Sequence, residues 1–77
     1  MKIKEHDCVV LTADLPAENL KAGDVGTVVH LHKDGAAYEV EFMTLTGETI
    51  TVATVEASDA RPINKRDINH VRELQAA

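Results

Sequence analysis

The stretch Val25–Met43, VGTVVHLHKDGAAYEVEFM, decides the fold. Two β-branched, alternating runs flank Asp34-Gly35, a strong short hairpin signal because a type I′ turn needs positive φ at both central residues. A two-residue turn there sets Lys33 opposite Ala36, Leu31 opposite Tyr38, Val29 opposite Val40 and Thr27 opposite Phe42. The other face pairs His30 with Glu39 and Val28 with Glu41. Slipping the pairing by one residue would turn the glutamates into the core. The predicted inward set is therefore Thr27, Val29, Leu31, Tyr38, Val40 and Phe42, with Val28 and Met43 outward. Gly26, near the start of its strand, suits a bulge or a close backbone approach in a tightly bent sheet.

Outward from this hairpin the chain keeps the same rhythm of short strands broken by turns, which points to an all-β sandwich or barrel. Leu45-Thr46-Gly47 reads as a three-residue loop closing onto a fourth strand, Glu48–Val55, with Phe42 facing Ile50 and Val40 facing Val52. Glu56–Asp59 reads as a single helical turn and Ala60–Ile63 as a short last strand, placed at an edge because Pro62 lacks an N–H. Ahead of the hairpin, Asp7–Thr12 is the first strand. Ala13–Asp24 is a long first loop whose two apolar side chains, Leu15 and Leu20, plug one end of the core. The tail, Asn64–Ala77, spaces Ile68, Val71 and Leu74 three apart, which fits one or two helical turns or an extended arm. The domain plan is thus residues 1–63 as the β unit and 64–77 as a tail packed on it or extending from it.

Seventy-seven residues make one domain with one modest core. Tyr38 and Phe42 are the only aromatics among Phe, Tyr and Trp, so that core is mainly aliphatic. Net charge is −5. Residues 1–60 hold four lysines against eleven acids, a net −7, whereas residues 61–77 hold four cations against two acids, a net +2. Nucleic acids are bound mainly by displacing counterions with Lys and Arg, so neither nucleic acid nor an anionic membrane is an expected partner of the acidic part. One cysteine, Cys8, excludes an internal disulfide, and no run reaches the ~20 apolar residues of a membrane span. The start MKIKEHD lacks the apolar run of a signal peptide, and a cytoplasmic location is expected.

Three stretches, DCVVLTADLP (7–16), LKAGDVGTVVHLHKDGAAYEVEFMTLTGET (20–49) and INHVREL (68–74), resemble a family of small bacterial proteins classed as a domain of unknown function. The resemblance implies a small five-stranded SH3-like barrel with a long first loop and a single helical turn before the last strand. It also implies neighbours of the toxin-like kind, hence an antitoxin, immunity or accessory role, and it brings no functional residue. The run Lys21–Val29 is similar, more loosely, to ribosomal and elongation-factor barrels of the KOW type and to SH3-like accessory subunits of redox complexes, a likeness of fold alone.

Several constellations invite chemistry, and each has a plainer reading. His30 and His32 share the outward face with Glu39 and Glu41, a zinc-type donor set. A flat polar face with ordinary His–Glu cross-strand pairs accounts for the same residues, and the expectation is no metal. Cys8, in a β-branched run, reads as a core or near-core thiol. Asp14, Glu18 and Asp24 sit on a solvated loop, where carboxylates keep ordinary acidity and do no acid–base work. No nucleophile triad or phosphate loop is present, so no catalytic residue and no cofactor is expected. Arg61, Lys65, Arg66 and Arg72 form one basic patch without the aromatic platforms that RNA sites use. The patch serves either a partner or the domain's own acidic surface. The expected function is that of a non-catalytic protein-binding module holding one protein partner, with Leu15, Leu20 and the four cations as contact candidates; the alternatives are a KOW-like RNA- or ribosome-associated barrel and an SH3-like accessory subunit of a redox complex. A homodimer through an edge strand is the accompanying possibility.

Overall fold

The computed structural model describes residues 3–74 and is all-β, its only helical pieces among those residues being two single 3₁₀ turns, Pro16–Glu18 and Ala57–Asp59. Five strands, β1 (Cys8–Leu11), β2 (Val25–His32), β3 (Ala37–Met43), β4 (Thr49–Glu56) and β5 (Ala60–Pro62), form one antiparallel sheet in the order β4-β3-β2-β1-β5. The elements fall where the turn signals put them. The sheet is open, however. Its two edges are β4 and β5, joined in sequence by the 3₁₀ turn Ala57–Asp59 and not hydrogen-bonded to each other, so the strand pairing itself does not close the expected SH3-like barrel. Pro62 lies on the edge strand, as its missing N–H requires.

The long first loop is a miniature hairpin. Leu15 and Leu20 exchange backbone hydrogen bonds of 2.9 and 3.1 Å around the turn Pro16–Glu18, and Asn19 closes it at φ 58°. Leu20 is buried and Leu15 packs against the core, so the loop plugs the core end as expected. With them in the core stand Ile3, Val9, Leu11, Val28, Tyr38, Val40, Phe42, Ala53 and Val55.

Two β-bulges correct the predicted registers. Near the Asp34-Gly35 turn Leu31 pairs with Tyr38 and His30 with Glu39 as expected, and both turn residues adopt positive φ. The last pair, however, is His32 with Ala37, and the Ala36 N–H bonds the His32 carbonyl at 3.1 Å, so the connection is four residues long and Lys33 does not pair with Ala36. Beyond His30 the register shifts by one, so that Val28 faces Val40 and Gly26 faces Phe42. Val28 is thus fully buried and Val29, the extra residue, is 38% exposed, the reverse of the expected assignment. Thr27 turns to the outer face opposite Glu41. The cause is the bulk of Phe42 and Val40. A Cβ on Gly26 would lie 2.5 Å from Val40 Cγ1 and 2.9 Å from Phe42 Cε1, so only glycine fits beneath them. The second hairpin repeats the device. Gly47 closes the three-residue loop at φ 97°, and Met43 pairs with Thr49, but a shift at Ile50 then sets Phe42 against Thr51 and Val40 against Ala53. Ile50 and Val52, expected inward, are exposed, and Ala53 and Val55 enter the core in their place.

Candidate interaction surface

Residues 63–74 form neither a helix nor a strand; they run as an irregular arm over the outer face of the sheet, and residues 75–77 of the expected tail lie outside the described residues. Two ion pairs pin it. Near its start, Asp67 accepts both guanidinium arms of Arg61, at 2.9 and 3.0 Å, and the Asn64 N–H at 2.8 Å. The Arg61 hydrogen bonds, then the Asn64 N–H, hold the Asp67 carboxyl down at about 2. Near its end, Arg72 donates from Nε to Asp24 Oδ1 at 2.7 Å and from its terminal nitrogen to Oδ2 at 2.5 Å, with a further bond of 3.3 Å to the Asn19 carbonyl. Asp24 is the only buried charged residue among those described. Burial pushes its carboxyl up, but the Arg72 bonds, the Lys21 N–H and the nearby cations outweigh that and hold it below its ordinary value. His70 completes the anchor, 3.4 Å from Asp24 and against Gly23, whose φ of 96° and missing Cβ leave room for the ring.

The anchored arm explains Val10. It alternates with Val9 and Leu11 and so points off the core side, yet it is buried, lining a narrow cleft with Arg61, Asp67 and His70. Cys8, two residues earlier on the same face, remains exposed, 4.0 Å from the Thr27 hydroxyl. The core placement expected for Cys8 is corrected by the strand alternation: Val9 and Leu11 take the inward positions.

Between the arm and the sheet lies an open groove of about 1170 Å³. Its sheet wall carries Val25, Met43 and Ile50, with Leu45 at the tip of the β3–β4 hairpin. Its other wall carries Ile63, Ile68, Val71 and Leu74. All eight are exposed, Leu45 by 83%, Ile68 by 91% and Val71 by 74%. Among the described residues only two other large apolar side chains, Val29 and Val52, are exposed. Single exposed apolar residues are ordinary, whereas a contiguous exposed set marks a surface that binds something. The spacing of Ile68, Val71 and Leu74 was the one sign of this groove in the sequence; the partnership with Val25, Met43, Leu45 and Ile50 depends on the folded arm.

The contact candidates separate accordingly. Leu20 is not available to a partner and Leu15 is half-buried. Arg61 and Arg72 are engaged by the domain's own acids, leaving Lys65 and Arg66 exposed. His30 and His32 do meet, ring centroids 4.8 Å apart, and His32 Nε2 lies 2.7 Å from Glu39 Oε2. Glu39 also accepts the Thr54 hydroxyl at 2.6 Å, and these two hydrogen bonds draw its carboxyl below the usual value. Among the described residues no three potential ligands gather around one point. The loop acids shape turns: Asp14 accepts the Ala22 N–H and Asp24 the Lys21 N–H, each at 2.8 Å.

Fold and surface together define an all-β domain, an open five-stranded antiparallel sheet with an apolar groove on its outer face. The chain belongs to the family described as Domain of unknown function (DUF4926), whose model matches residues 5–62. That span holds all five strands and stops short of the arm. No curated protein and no solved structure matches the chain.

Proposed function

We propose that this domain is a non-catalytic protein-binding module that seats one protein partner in the groove between the arm and the sheet. One observation carries the reading: among the described residues, eight of the ten exposed large apolar side chains line that single groove. A protein segment is the occupant such a surface suits, because burying large aliphatic groups contributes roughly 1.5–3 kcal/mol for each side chain fully covered. The finer form of the reading is an antitoxin, immunity or accessory role toward a toxin-like neighbour in a bacterial cytoplasm, on an SH3-like scaffold. The family resemblance supports it. Among the described residues no helix is long and apolar enough to cross a membrane.

The test is photo-crosslinking in the source cells from a reactive residue placed at Leu45 or at Ile68, with Val29 as the position outside the groove. The expected result is one adduct, the same protein from both groove positions, and none from Val29. Adducts no stronger from Leu45 and Ile68 than from Val29 overturn the reading.

A further inference from the structure

We infer that the groove takes an apolar segment of a cationic protein, and that a second copy of this chain is not its occupant. The inference rests on the docking reading above and adds the partner's chemistry. Of the charged groups along the groove, Asp24 and Arg72 neutralise each other, and Asp67 is neutralised by Arg61. Asp7 and Glu73 remain. Among the described residues neither forms an ion pair, and Lys65 and Arg66 do not line the groove. The uncompensated charge lining the groove is therefore negative, while Lys65 and Arg66 stand outside it on the arm, Arg66 along the adjoining cleft.

The sheet adds to it, whereas residues 61–77 carry +2. The chain carries −5, and the residues up to Ala60 carry −7. Exposed charges act over a Debye length of about 10 Å at 0.1 M salt, so the two carboxylates and the acidic sheet act together on whatever approaches. An incoming copy brings the same −5 and the same two carboxylates to the contact. A partner segment with Lys or Arg beside its apolar residues meets the opposite. Burial of the aliphatic wall supplies affinity, and the charge decides which partner arrives and how fast.

The experiment titrates two 12-residue probes into the isotope-labelled full chain, one of leucine and lysine and one of leucine and glutamate in the same order. Amide shifts locate binding, and alkylation of Cys8, which lines the groove, reports its occupancy. The lysine probe is expected to shift Val25, Met43, Leu45 and Val71, to slow Cys8 alkylation, and to bind roughly tenfold or more tightly than the glutamate probe at low salt. The gap should shrink at high salt and in the double variant Asp7→Asn/Glu73→Gln, with the unfolding midpoint of that variant unchanged. Equal binding of both probes in the groove overturns the cationic assignment and leaves the docking reading standing. Groove signals untouched by either probe overturn the assignment too. So does a dimer in sedimentation whose groove signals shift on dilution, for then the occupant is a second copy. The docking reading fails separately, through the crosslinking result.

Discussion

Val28 and Val29 are identical side chains one position apart, and the bulge between β2 and β3 gives them different work. Val28 faces Val40 in the core with no exposed surface, while Val29 stands 38% exposed. Truncating Val28 to alanine removes two buried methyl groups and leaves a cavity, a loss of about 2–3 kcal/mol. The same truncation at Val29 should stay within about 0.5 kcal/mol. Denaturant midpoints of the two variants decide the register, since the unbulged pairing reverses the order of the costs. Gly26→Ala tests the reason for the bulge. The added methyl would meet Val40, Phe42 and the Glu41 carbonyl, all within 3 Å. Part of that contact is backbone, so the loss should be roughly 1–3 kcal/mol or more, well above the ordinary effect of Gly→Ala in a strand.

At the scale of elements, the sequence is most legible where local chemistry decides. Asp34-Gly35, Leu45-Thr46-Gly47 and Pro62 place the turns and the edge strand correctly, because positive φ and a missing N–H are properties of single residues. The bulges at Val29 and Ile50 were not legible, since they answer to the bulk facing Gly26 across the sheet and to Ala53 fitting opposite Val40. The arm was legible only as a spacing. Ile68, Val71 and Leu74 fit a helix, but Asp67 is drawn back to Arg61 at the end of the sheet, and Arg72 to Asp24, 48 residues away and outside any local window. These pairs make the arm acid-sensitive in a defined direction. Both carboxyls are held below their unfolded values, Asp67 at about 2, so the stabilisation is complete above about pH 4 and is lost as pH falls through the folded values. Carboxyl shifts followed by NMR should show Asp67 titrating near 2 and residues 67–73 loosening over the same range. Midpoints at the ordinary value of 3.8 would show that the pairs do not form in solution.

On the scale of the whole molecule, the sheet holds its core on one face and divides the other. One half carries His30, His32, Glu39 and Thr54 in a polar network, and the other carries the groove and the arm. Every core residue lies between Ile3 and Val55, so the arm is an addition to a sheet that is already complete. A chain ending at Asn64 should therefore fold cooperatively. It should be less stable, because Val10 loses its cover and Asp24, on the acidic sheet, loses Arg72 and His70 and keeps only the Lys21 N–H as a partner. A partly desolvated charge stripped of its counter-ion among like charges is destabilising in itself, whereas a neutral side chain of the same shape is not. The sign of Asp24→Asn should consequently depend on the arm. In the full chain it removes half of an intact ion pair and lowers the unfolding midpoint; in the shortened chain it removes an unpaired charge and raises it. A denaturation experiment on the four proteins, both chain lengths with and without Asp24→Asn, reads the two signs directly. Loss of stability in both backgrounds would mean that Asp24 serves the Lys21 turn alone and that the arm docks by its apolar residues without this anchor.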